Sequence, residues 1–193
     1  MQPARLDLPL VRGATNRKPL WLMQPQFVSP SPTITEIHRT APLRMTVPGH
    51  GLPGTWPVWL RGVSGGGSLN REPGREAFYM PDVIDANTLE FNNLDGVDSR
   101  ATGGRITYQL PVDLAGCSGR LLLCGPGHQL ELTTANGGLV IEGLGQMMIV
   151  LTVEQSNAIT WKRGTYDLDL TMSDGDVIRW LSGDVTVSGG CHG

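Results

Sequence analysis

The sequence predicts an all-β fold, and three observations carry that expectation. Apolar residues recur with a period of two almost throughout, the mark of strands with one buried face. The 193 residues include 26 glycines and 14 prolines, about a fifth of the chain against roughly 12% in an average protein. Many tight turns between short strands require such a composition. Turn formers also separate the apolar runs, at Gly103-Gly104, Ala135-Asn136-Gly137-Gly138 and Ser173-Asp174-Gly175-Asp176.

Taken in order, alternation first marks strands at 6–11 and 19–23. Ser29-Pro30-Ser31-Pro32 then reads as an extended linker, since each proline biases its predecessor away from helix. Strands follow at 43–47, 58–60, 88–91 and 105–110, inside a block that runs from Thr33 to Tyr108. Gln109-Leu110-Pro111-Val112-Asp113-Leu114 reads as the re-entry into another unit. The remaining strands are expected at 119–124, 129–133, 139–141, 147–153, 165–171 and 177–187. Asp174-Gly175, between "YDLDLTM" and "DVIRWL", is the strongest hairpin signal. A type I′ turn there needs φ > 0 at both central residues, which Asp-Gly supplies at little cost. One helical segment stands out at 152–159, where Thr152 can cap and Gln155 completes a capping box.

The formal net charge is −3, from 15 basic and 18 acidic residues, with no Lys/Arg block. Neither nucleic acid nor an anionic membrane is therefore the expected partner. No apolar run of signal-peptide length follows Met1-Gln2-Pro3-Ala4-Arg5, and the longest apolar stretch, 147–151, is too short to span a bilayer. The chain is expected to be soluble, made in a reducing cytoplasm and free of disulfides. Cys117 and Cys124 read as small buried strand residues, and Cys191-His192 offers only two ligands, too few for a closed metal site.

Several patterns invite a catalytic reading, and each has a plainer one. His50 in "TVPGHGLPGTW" has no other His, Cys or carboxylate within ten residues, so it reads as part of a glycine turn. Glycosidase chemistry needs two carboxyls ~5–9.5 Å apart across a cleft. Asp167 and Asp169 instead alternate on the polar face of one strand, Asp174 and Asp176 are turn formers, and Asp82/Asp85 precede a strand. The "SDGD" stretch lacks the length and the later Glu of a calcium loop. Ser64 in "GVSGGGS" lacks a nucleophile elbow, and the same run lacks the Lys-Ser/Thr ending of a phosphate loop. Trp161 and Trp180 are expected in a core or at its edge, whereas an exposed indole at Trp56 or Trp59 would make an interface anchor.

The pieces "ITEIHRTAPLRMTVPGHGL", "WPVWLRGVSGGGSLN" and "VIDANTLEFNNLDGVDSRATGGRITY" resemble a small β-domain frequent in tailed-phage structural and fibre proteins. That domain is described by its similarity to the first catalytic-cysteine half-domain of ubiquitin-activating enzymes. The resemblance implies a compact β-barrel-like module over 33–108. It implies no ubiquitin chemistry, because the stretch contains no cysteine. The pieces "PVDLAGCSGRLLL", "LELTTANGGLVIEG", "MIVLTVEQSNAI" and "TYDLDLTMSDGDVIRWLSGDVTVS" are similar to the β-sandwich of baseplate upper protein N-terminal domains and related neck and tail proteins. "LDLPLVRGATNRKPLWLMQPQF" supplies the first strand pair of that pattern. The resemblance implies a discontinuous β-sandwich, 1–30 with 109–193, carrying 33–108 as an insertion.

The function implied is a non-enzymatic structural component of a tailed-phage virion, a tail, baseplate or neck adaptor binding other virion proteins in symmetric assembly. Its location would be the virion, after synthesis in the host cytoplasm. A capsid decoration protein is one alternative. A carbohydrate-binding fibre module that contacts a host-surface glycan, motivated by Trp56 and Trp59, is another. No catalytic, cofactor-binding or metal-binding residue is expected. Trp56, Trp59, Arg71 and Arg75 are the expected partner-binding residues, the two arginines within a glycine-rich loop, 62–76, expected to order on docking.

Overall fold

The computed structural model describes residues 3–189 and is almost entirely strand and turn. The chain divides into two compact units. One holds the described residues up to Leu22 and from Val112 on; the other is Met23–Pro111. The first unit opens with β1 (Ala4–Arg5), β2 (Leu8–Val11) and β3 (Asn16–Trp21). The second contains β4 (Met23–Phe27), β5 (Glu36–Ile37), β6 (Leu43–Thr46), β7 (Trp59–Arg61), β8 (Asp82–Asp85), β9 (Thr88–Phe91), β10 (Arg105–Thr107) and β11 (Gln109–Pro111). Back in the first unit come β12 (Ser118–Gly125), β13 (His128–Thr133), β14 (Leu139–Gly143) and β15 (Gln146–Leu151). The helix α1 (Val153–Ala158), β16 (Arg163–Thr171) and β17 (Val177–Ser188) complete it.

The first unit is sandwich-like. One sheet runs β1-β17-β16-β12-β13, with β2 also on β17; the other is β14-β15-β3. Burial alternates along the strands as the period predicts: β15 buries Met147, Ile149 and Leu151, and β16 buries Tyr166, Leu168 and Leu170. These side chains join Leu121, Leu123 and Leu139 in one apolar cluster, each worth about 1.5–3 kcal/mol for leaving water. Where the chain leaves this unit and returns to it, the Val112 N–H donates to the Leu22 carbonyl at 3.0 Å.

The second unit has a four-stranded sheet, β5-β6-β9-β8, and two ribbons, β7 with β10 and β4 with β11. Its interior is aromatic and aliphatic, with Trp56, Tyr79, Phe91, Met45, Leu60 and Ile106 all but inaccessible. Residues 23–30, expected in the sandwich, begin instead with β4, which pairs with β11 in this unit. The segment Ser29–Pro32 is no free linker. The Ser31 and Thr107 hydroxyls share a 2.9 Å hydrogen bond, and Pro32 accepts from the Ile106 N–H.

Local departures from simple alternation have physical causes. The strand expected at 105–110 changes partner at Tyr108: β10 pairs with β7 and β11 with β4. Tyr108 is buried there, and its hydroxyl donates to the His50 carbonyl at 2.9 Å. The strand expected at 147–153 stops at Leu151 because Thr152 caps α1 and the full capping box with Gln155 forms. The strand expected at 6–11 is shortened to β2 at Leu8–Val11, with the separate β1 ahead of it, and both run parallel to β17. The β16–β17 hairpin is not type I′. Among the described residues only glycines have positive φ, so Asp174 keeps a negative one. The Gly175 N–H donates to Met172 O and the Met172 N–H to Asp176 O, a three-residue loop with Gly175 (φ 92°) left-handed. A bulge at Trp180 then moves the inward-facing positions of β17 from even numbers, the half-buried Ile178 and Trp180, to odd ones, the buried Leu181, Val185 and Val187.

Candidate functional site

The residues that invited a catalytic reading are each engaged in local structure. Arg179 pairs with Asp169 at 2.9 Å and with Asp167 at 3.2 Å, which makes the outer face of β16 a charge ladder. Asp174 accepts from the Asp176 N–H within the hairpin loop. Asp82 accepts from the Thr55 hydroxyl and the Asn92 amide. The backbone N–H of Asn87, 2.7 Å from Asp85, holds the Asp85 carboxyl below the usual carboxylate range. Ser64 forms a two-way backbone pair with Thr102. His50 is buried: its Nε2 donates to the Asp85 carbonyl at 2.9 Å and its Nδ1 accepts from the Leu52 N–H at 3.1 Å. Both ring nitrogens serve the turn.

Cys124 lies on β12, but Cys117 sits in the turn before it rather than in a strand, and both are half-buried and free. Cys191 and His192 lie outside the described residues. Among the described residues no group of three His, Cys, Asp or Glu is placed to hold a metal ion.

The expected partner-binding residues fare unequally. Trp56 is 0% exposed and Trp59 6% exposed, so neither presents an indole to solvent. This corrects the expectation for both. Trp56 Nε1 donates to the Gln109 carbonyl and Trp59 Nε1 to the Glu76 carbonyl, so burial costs neither indole its hydrogen bond. Arg71 is turned inward. Its guanidinium stacks 3.8 Å from the centre of the Tyr79 ring and donates to the Ala77 carbonyl. Arg75 remains exposed. The loop around them, 62–76, is likewise not left to order on docking. The Asn70 side chain both accepts from and donates to the Val63 backbone at 2.9 Å, and the Arg71 N–H donates to Leu60 O.

What covers Trp59 defines the candidate surface. Phe27 and Phe78 meet its ring edge-on, with centroids 6.2 and 6.1 Å away. These two rings are themselves 42% and 38% exposed. Beside them lies an open hollow of about 600 Å³ in the second unit, lined by Phe27, Trp59, Arg61, Glu72 and Thr107 among others. The aromatic edge is therefore displaced from the tryptophan to the phenylalanines that flank it. In the sequence these stand in "QPQF" and "REAF", stretches without strand alternation, and nothing local marks them as neighbours. Trp161 and Trp180, expected in a core or at its edge, lie buried in and half-buried against the sandwich cluster.

No protein-family profile matches the chain, and no curated protein matches it.

Proposed function

We propose that this protein is a non-enzymatic structural component of a tailed-phage virion, an adaptor of tail, baseplate or neck that binds other virion proteins. The resemblances of 33–108 and of the flanking segments support the class. The observation that carries the adaptor role is the pair of part-exposed rings, Phe27 and Phe78, packed on the buried Trp59 at the edge of an open hollow. Partly exposed aromatic rings held rigid by a buried neighbour are what protein interfaces use as anchors, because little entropy is lost when a partner covers them. Symmetric repetition in a particle multiplies one such contact many times. The test is the protein composition of purified particles produced from the genome that encodes this chain. The expected result is the chain at a fixed copy number per particle, with density in a particle map that covers Phe27 and Phe78. Particles that assemble and purify without the chain would overturn the reading.

A further inference from the structure

The register of the β7–β10 ribbon places two arginines directly opposite each other. The ribbon pairs Trp59 with Thr107, Leu60 with Ile106 and Arg61 with Arg105. Leu60 and Ile106 point into the core and are fully buried. Alternate residues share a face, so Trp59, Thr107, Arg61 and Arg105 form a single platform on the opposite side. Like charges directly opposite one another across two strands are destabilising, and both guanidiniums are exposed. Only Arg61 finds a carboxylate among the described residues, Glu72 at 3.4 Å, half-exposed like its partner. Arg105 forms no ion pair among the described residues. The two arginines, with Ser31 and Thr107, line an open hollow of about 400 Å³ that shares Ser31, Arg61 and Thr107 with the aromatic hollow.

We infer that this platform is a docking site for an acidic peptide segment of a partner protein, whose carboxylate sits between Arg61 and Arg105 while a neighbouring apolar side chain covers Phe27 and Phe78. Charge complementarity selects the occupant. Two guanidiniums less the Glu72 carboxylate leave one positive charge, which suits a single carboxylate and disfavours a phosphate dianion or the repeated charges of a nucleic acid. The guanidinium fork matches a carboxylate in bidentate geometry. The Ser31–Thr107 hydroxyl pair offers further hydrogen bonds to the second oxygen or to the peptide backbone. The aromatic edge adjoining the pair distinguishes a peptide from a free ion, since only a peptide brings apolar surface to it. This inference deepens the adaptor reading and rests on it.

The test is an NMR titration of the full ¹⁵N-labelled chain, following the Nε–H signals of Arg61, Arg105 and Trp59. The probes are the capped peptide Gly-Phe-Glu-Phe-Gly, its counterpart with Gln for Glu, inorganic phosphate and a short oligouridylate. The expected result is saturable shifts of all three signals with the Glu peptide, and binding weaker by about tenfold or more with the Gln peptide or in Arg105→Gln. A variant measurement needs no ligand: Arg105→Gln should raise Tm by about 1–3 °C at low salt, because it relieves the like-charge pair, and the gain should vanish at high salt. Equal binding of the Glu and Gln peptides, or no shift of the arginine signals, overturns the site. Phosphate or oligouridylate binding as tight as the Glu peptide overturns the peptide assignment, and a lowered Tm in Arg105→Gln overturns the like-charge basis. Particle composition is read separately, so a chain present in particles that fails this titration refutes the docking site alone.

Discussion

Tyr166 and Gly183 show how single residues bind the start of the chain to the sandwich. The Leu6 carbonyl lies against Gly183, where any Cβ would collide with it, and the buried Tyr166 hydroxyl donates to that same carbonyl at 2.7 Å. Gly183→Ala should therefore cost about 1–3 kcal/mol. Loss of amide protection should be concentrated in β1 and β2, and hydrogen exchange together with urea denaturation reads both effects; uniform loss along the chain would contradict this account. Burial, aided by the nearby Asp7 carboxylate, pushes the Tyr166 phenol from its ordinary value near 10 up to about 12. The folded value lies above the unfolded one. The contribution is therefore fully present below pH 10 and is lost as pH rises from 10 towards 12. Tyr166→Phe should lower stability at neutral pH by about 1 kcal/mol and should flatten the alkaline decline, as measured by urea midpoints across pH 8–12.

Among the elements, the β16–β17 hairpin offers the sharpest contrast. Gly175 alone in its loop requires a left-handed backbone, so Gly175→Ala should cost about 1–2 kcal/mol. Asp174→Ala, which removes only the bond from the Asp176 N–H, should cost about half a kcal/mol or less. A type I′ turn would penalise both substitutions alike, so paired denaturation curves separate the two geometries. The helix α1 is six residues long and depends on its cap. Thr152→Ala removes the side-chain half of the capping box, at about 1 kcal/mol. Most strands follow from alternation with shifts of one or two residues at their ends, but β3 starts three residues before the expected 19–23 and ends at Trp21. β1, β5 and β8, at two to four residues, are too short to show a period, and β4 contains a central proline that breaks its pattern.

For the whole molecule, the hydrogen bond from Val112 to Leu22 bears on how the chain can be cut. Chain ends this close can be joined by a short turn at small entropic cost. A chain in which Leu22 is joined to Val112 through a short Gly/Ser turn, without residues 23–111, should keep one cooperative unfolding transition, because the apolar cluster of the first unit is complete without them. Fluorescence of the remaining Trp21, Trp161 and Trp180 follows it. A broad, non-cooperative transition would show that the sandwich depends on the insertion.

Local features are legible in the chain alone: a chain of strands, the position of the hairpin loop, the capping box at Thr152, the polar face of Asp167 and Asp169, and the turn that holds His50. Period, cap and turn chemistry act within a few residues, so they can be read without knowing what lies across the sheet. Which strand meets which, and in what register, depends on contacts between residues far apart in the chain. That choice set Arg61 opposite Arg105, buried Trp56, and covered Trp59 with Phe27 and Phe78. The exposure of an aromatic ring depends on side chains that arrive from distant strands and loops, and no pattern around Trp59 in the chain encodes their arrival.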